Sequence, residues 1–303
     1  MDTGSFSSDL ATNMFIAGTL QHFWSFVASQ QIIVIMPLFA ISLPANAMTI
    51  YEVLFQIAEF DMIPTDEFFS PMHEELEEFG PSEDPLKDKM EPLGFETVWF
   101  LSNLGSIIVL FGVYLLLLVI LVLMTLLQYC FPHKSRKSLR FKTNRLRVFA
   151  LYNAPITFLR DSFIVIAICC VYNTAYLTFE TRIAALNSWL ALITMLFLIL
   201  YPACLHYYLY RHREDLQDKE QKDKWSNVES AYLYLDVREG KAFAYPLFFY
   251  YTRLFITVSV VVFPDTFIVH YAVITGTTIA TIIFVGHETP FVSLMRNKVE
   301  VME

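Results

Sequence analysis

Between Ala11 and Tyr51 the chain runs for 41 residues without an Asp, Glu, Lys or Arg. Thr97 to His133 and Ile183 to Tyr210 are further long uncharged runs. A helix rises about 1.5 Å per residue, so about 20 apolar residues cross the hydrocarbon layer of a bilayer. A chain with several such runs is expected to be an all-α, polytopic membrane helix bundle. Composition agrees: 55% of the 303 residues are apolar, 16% aromatic and only 17% charged, with a mean hydropathy of +0.48.

The 41-residue run is too long for one crossing and is punctuated by Pro37 and Pro44. It reads as a first span from about Asn13 to Met36, an irregular exit through Pro37 to Pro44, and a second helix from about Ala45 to Glu59. That helix is short and carries Glu52 and Glu59, so an interfacial or re-entrant position suits it better than a crossing. Ile107 to Leu127 is the densest apolar segment and gives the second span. The third is expected from Ser162 to Phe179, after an amphipathic approach that ends at Arg160-Asp161. Ile183–Tyr210, Ala242–Phe263 and Thr266–Gly286 complete six expected crossings plus one shorter helix.

Charge sets the expected orientation. Lys134, Arg136, Lys137, Arg140, Lys142, Arg145 and Arg147 lie between the second and third spans with no acid among them, which predicts a cytosolic connector. Tracing outward, residues 1–12 are cytosolic, and 13–60 hold the first span and the interfacial helix. Residues 61–96 form an extracytoplasmic loop, and 97–303 form a five-span bundle with cytosolic connectors at 134–147 and 211–241. The basic connector also mixes its cations with Leu139, Phe141 and Leu146, a pattern that binds anionic lipid headgroups. Tyr207, Tyr208, Tyr210, Tyr245, Tyr250 and Tyr251 mark expected membrane interfaces. No positively charged segment precedes the first apolar run, so that run itself is expected to direct insertion. The last residues, Asn297 to Glu303, follow closely on a membrane helix, and the chain reads as a module of a longer polypeptide.

The formal charge of −9 belongs to one segment. Residues 61–96 contain twelve Asp and Glu against two Lys, while the remainder holds 18 acids and 19 bases. There is no excess positive field to displace phosphate counterions, which disfavours nucleic acid as a partner. Within the acidic loop Glu74, Glu75, Glu77, Glu78, Glu83 and Asp84 invite a calcium reading. The ordered D-x-[DN]-x-[DN]-G pattern is missing, however, and Pro64, Pro71, Pro81, Pro85 and Pro92 interrupt regular structure. The expectation is diffuse attraction of cations without a metal site.

Signatures of catalysis do not occur: there is no GxSxG, HExxH, GxxxxGK[ST] or GxGxxG. Seven histidines are scattered along the chain, and His206 and His212 are six apart, off a common helix face. Enzyme activity and a cofactor are therefore not expected. Cys130, Cys169, Cys170 and Cys204 all lie in or beside apolar runs and read as buried thiols.

Arg253 is the sharpest single residue. About ten residues into an apolar helix, its guanidinium must snorkel, meet a carboxylate or face a hydrated cavity. Asp161 is one expected partner, next to Arg160, and Glu288 is another; an ion pair that packs helices and a gating role are both open. In the last span Thr275, Thr277, Thr278 and Thr281, with His270, are candidates for lining a path. Ala272, Gly276 and Ala280 recur every four residues, as in closely packed helices. Only Pro264-Asp265 separates the last two spans, so a loop filter cannot fit there. Any conduction path would run between helices.

Leu20-Gln21 with Trp24, Pro37-Leu38, Pro44-Ala45-Asn46, Phe60-Asp61 with Ile63-Pro64, and Leu93-Gly94-Phe95 carry a resemblance, with Tyr250 to Arg253, Pro290-Phe291, and Asn297 with Glu300 near the end. The sequence resembles the C-terminal multi-span membrane region of large ciliate-type surface proteins that carry Cys-rich or EGF-like repeats. It is more remotely similar to transient-receptor-potential-like and polycystin-like membrane domains. The resemblance implies a membrane module behind a large extracellular ectodomain, TRP-like or otherwise channel-like; a non-conducting anchor or receptor module for an adhesive ectodomain is the alternative, and the plasma membrane is the expected location. Bilayer lipid, cations and further copies of the chain are the partners it allows. One arginine stands at 253 where a basic pair is common in such regions.

Overall fold

The computed structural model describes residues 35–39, 44–59, 90–91, 95, 97–130, 143–144, 146–217, 228–232, 235–238, 240–292 and 297–298. Among these the regular structure is helical: α1 Ala45–Glu59, α2 Phe100–Asn103, α3 Gly105–Cys130, α4 Ala154–Thr174, α5 Arg182–Arg211, α6 Arg213–Gln217, α7 Glu229–Tyr232, α8 Tyr245–Val262 and α9 Phe267–Glu288. Five segments, built on α3, α4, α5, α8 and α9, are long and apolar enough to cross a membrane. The first expected span, Asn13 to Met36, lies almost wholly outside the described residues, as do the acidic cluster Glu74 to Asp84 and six of the seven cations of the basic connector; the seventh, Arg147, is exposed. The short helix α1 has the bounds read from the sequence.

One span differs from the expectation at both ends. The third span does not begin after Arg160-Asp161. Its helix starts at Ala154, carries both charges inside it and stops at Thr174. Pro155 explains the entry. It has no N–H to offer an α-helical ladder and its ring crowds the carbonyl four residues back. The backbone widens into a π turn over Phe149–Asn153 immediately before it. At the other end, α5 is started by Thr181, whose hydroxyl accepts from the Ala184 N–H at 3.2 Å.

Burial ranks the long helices. The most apolar window of the α4 segment is 61% buried and that of α8 50%, against 28% for α5 and 11% for α3 and α9. Helix α4 is therefore the axis of the bundle, and α3 and α9 are outer helices. Residues Asp161 to Asn173 are buried on every face of α4. Phe163, Ala167, Cys169 and Cys170, each 0% exposed, pack there with α5, α8 and the 95–107 segment. Cys204, by contrast, is exposed; it sits on the outer side of α5, where the sequence reading had placed a buried thiol. Helix α9 leans on α8, with the Phe248 and Phe284 rings stacked at 4.4 Å.

A second cluster closes the end of the bundle where α5 stops and α8 begins. Leu209, Leu235, Ala242, Phe243 and Phe291 form it, so it joins the 211–241 connector to the segment beyond α9. That segment turns away because Thr289 is left-handed, with φ 41°, and Pro290 cannot continue a helix. The Asp236 N–H then donates to the Pro290 carbonyl at 2.7 Å, and Asn297 both donates to and accepts from the Phe291 backbone.

The Arg238 guanidinium donates to both Asp236 carboxylate oxygens, at 2.9 and 2.7 Å. These bonds hold the carboxyl below its ordinary 3.8. A depressed carboxyl stabilises the fold above its unfolded value and loses that contribution as pH falls through the lower, folded value. Backbone hydrogen exchange at 235–238 should rise below pH 3.8 beyond the intrinsic trend. In Asp236→Asn that additional rise should disappear; an identical rise in the variant would remove Asp236 as its cause.

Candidate functional site

Charge at membrane depth collects where α4, α5 and α8 meet. Arg160 donates through Nε to Asp161 Oδ1 at 2.9 Å, and the side chains are 28% and 7% exposed. Asp161 thus pairs directly with its own neighbour. Arg253 is 6% exposed and sits eight positions into α8, about 12 Å along the helix. Its charge acts on the Asp161 carboxylate. On its own helix, Cζ lies 3.5 Å from the Phe249 centroid, and Nη1 donates to the Phe249 carbonyl at 3.2 Å.

That local arrangement follows from helical spacing. Positions four apart share a face, so Phe249 presents its negative π surface to Arg253, a contact worth about 0.5–2 kcal/mol. Tyr250, read from sequence as an interface residue, is 3% exposed. It packs on Phe163 at 4.8 Å and edge-on to Tyr201 at 5.4 Å. The Tyr201 hydroxyl is buried and has no hydrogen-bond partner among the described residues. The outcome is a compact cluster of two guanidiniums, one carboxylate and two phenols inside the bundle.

Glu288 is elsewhere. It pairs with Lys241 Nζ at 3.0 Å and with His287 Nδ1 at 2.9 Å at the end of α9, tying that end to the start of α8. The threonines of α9 do not converge with the cluster either. Thr277 donates to the Val273 carbonyl at 2.7 Å and Thr281 to the Thr277 carbonyl at 2.9 Å, so both hydroxyls are satisfied by their own helix. Thr275 is half-buried and Thr278 exposed. His270, 1% exposed, lies against the Phe39 ring at 5.6 Å. The small-residue stripe faces outward: Ala272, Gly276 and Ala280 are exposed, and a Cβ at Gly276 would meet nothing within 4 Å.

Sequence reasoning missed two asparagines. Asn173, near the end of α4, and Asn187, in the second turn of α5, are both 0% exposed. Asn173 Nδ2 donates to the Val98 carbonyl at 3.1 Å, and Asn187 Oδ1 accepts from the Leu101 N–H at 2.9 Å. Trp99, at the N-cap of α2, offers no side-chain bond to that helix, so Asn187 supplies from 86 residues away the acceptor that a local cap usually provides. An Asn inside an apolar run was the available signal, since a buried amide requires a partner.

Among the described residues no group of three or more His, Cys, Asp or Glu is placed to hold a metal ion. Comparison of the chain with family models, curated proteins and solved structures finds no match.

Proposed function

We propose that the chain is the membrane-embedded module of a cell-surface anchor or receptor, closed to conduction within a single copy. The observation that carries this reading is the sealing of α4: its residues Asp161 to Asn173 are buried on every face, and its charged groups sit in a compact cluster with α5 and α8. A path through one copy would need polar side chains of several helices to face a common cavity. Here the α9 hydroxyls at 277 and 281 bond to their own helix. The resemblance to the membrane regions of repeat-bearing surface proteins supports the same reading, with the basic connector in the cytosol and the plasma membrane as the site.

A second reading, cation conduction between copies, is favoured by one feature: α9 turns Gly276, Thr278 and Ala280 away from its own bundle. The two readings separate in a planar bilayer. With the purified chain reconstituted, no current is expected under voltage, tension or calcium. Cation currents that Thr278→Trp abolishes would instead establish the assembly reading and overturn the first.

A further inference from the structure

We infer that the turn at residues 98–102 encloses a binding site for one water-sized, uncharged molecule that both donates and accepts hydrogen bonds. Three buried polar atoms there have no hydrogen-bond partner among the described residues: Asn173 Oδ1, Asn187 Nδ2 and Ser102 Oγ. The Val98 carbonyl and the Leu101 N–H that hold the two asparagines are three residues apart on a single turn, and Ser102 is the next residue along the chain. Both asparagines are fully removed from solvent and lipid.

The chemistry of the guest follows from which atoms are left over. An asparagine amide is usually ambiguous between its oxygen and nitrogen. Here the backbone removes the ambiguity: only Nδ2 can serve the Val98 carbonyl, and only Oδ1 can serve the Leu101 N–H. Asn173 therefore offers an acceptor and Asn187 a donor. A bare cation satisfies the first and repels the second, while an acceptor-only anion does the reverse. Water satisfies both and leaves a bond for the Ser102 hydroxyl, which takes either role. Buried polar groups without a protein partner are where ordered water resides. The site pins the segment leading into α3 onto the α4–α5 hairpin.

X-ray radiolytic footprinting of the full chain in nanodiscs tests this, because a bound water cleaved by the beam oxidises its neighbours even where bulk solvent is excluded. Trp99, 2% exposed, should be oxidised about tenfold faster than Phe163, 0% exposed, and Asn173→Leu and Asn187→Leu should each abolish the excess. Ser102→Ala touches neither backbone bond and decides the matter if the leucine variants do not fold: about threefold less Trp99 oxidation is expected. Trp99 as inert as Phe163 in the unaltered chain, or oxidation unchanged by Ser102→Ala, overturns the proposal.

Discussion

Asp161→Ala is expected to destabilise the folded chain by about 3–5 kcal/mol, because it removes a buried carboxylate from beside the half-buried Arg160 and leaves the buried Arg253 without its opposite charge. Whole domains are stable by only about 5–15 kcal/mol, so the variant should show a lower thermal midpoint in detergent and a reduced yield of monodisperse protein. The interaction with Arg253 is tested by a cycle. Arg253→Gln combined with Asp161→Asn should lose less than the sum of the two single changes, since each removes the charge the other leaves exposed. Additive losses would restrict the carboxylate to its bond with Arg160, 2.9 Å away. Arg253 would then be held by Phe249 and its other surroundings alone. The cycle therefore reports whether α4 and α8 are coupled electrostatically or only by packing.

Phe243→Ala should be similarly costly, about 3–5 kcal/mol, by the removal of a large aromatic from a closed core. Phe243 is 0% exposed, at the centre of the cluster that gathers Leu209, Leu235, Ala242 and Phe291. Its loss would free the 211–241 connector from the segment beyond α9, and limited proteolysis within 211–241 should accelerate by at least about tenfold. Phe111→Ala on α3 is the control, with a side chain 50% exposed and an expected effect below about 1 kcal/mol. Equal behaviour of the two variants would mean that Phe243 is not packed as the structure has it. Its carbonyl also accepts a bond from the His206 Nδ1–H at 2.9 Å. That backbone bond survives the substitution, so the variant isolates the packing of the ring.

These two residues illustrate different degrees of legibility. Arg253 and Asp161 announce themselves, because charge inside an apolar run is expensive and must be resolved by neighbours. Which neighbours resolve it is another matter. The pairing of Asp161 with Arg160 depends on two adjacent side chains turning towards each other, while Arg253 is covered by a phenylalanine of its own helix. Phe243 gives no signal at all in a chain with 28 phenylalanines. Its importance comes from residues far apart in sequence, Leu209 and Phe291, meeting around it.

By itself the sequence determined that long apolar helices form, and nearly where they start and stop, because helix bounds follow from local hydropathy, prolines and caps that act within a few residues. Ala45–Glu59 and the last three long helices lie within about three residues of their expected limits. The Arg160-Asp161 pair was the place where local reasoning failed: it looked like the edge of a span, yet burial by α5 and α8 lets the helix continue through it. Tertiary structure alone decided that α4 is the sealed axis, that the threonine- and glycine-bearing α9 is an outer helix, and that Asn187 caps a helix 86 residues away. Those outcomes depend on which faces of helices meet, and a helix uniformly apolar around its circumference does not state which face will be covered.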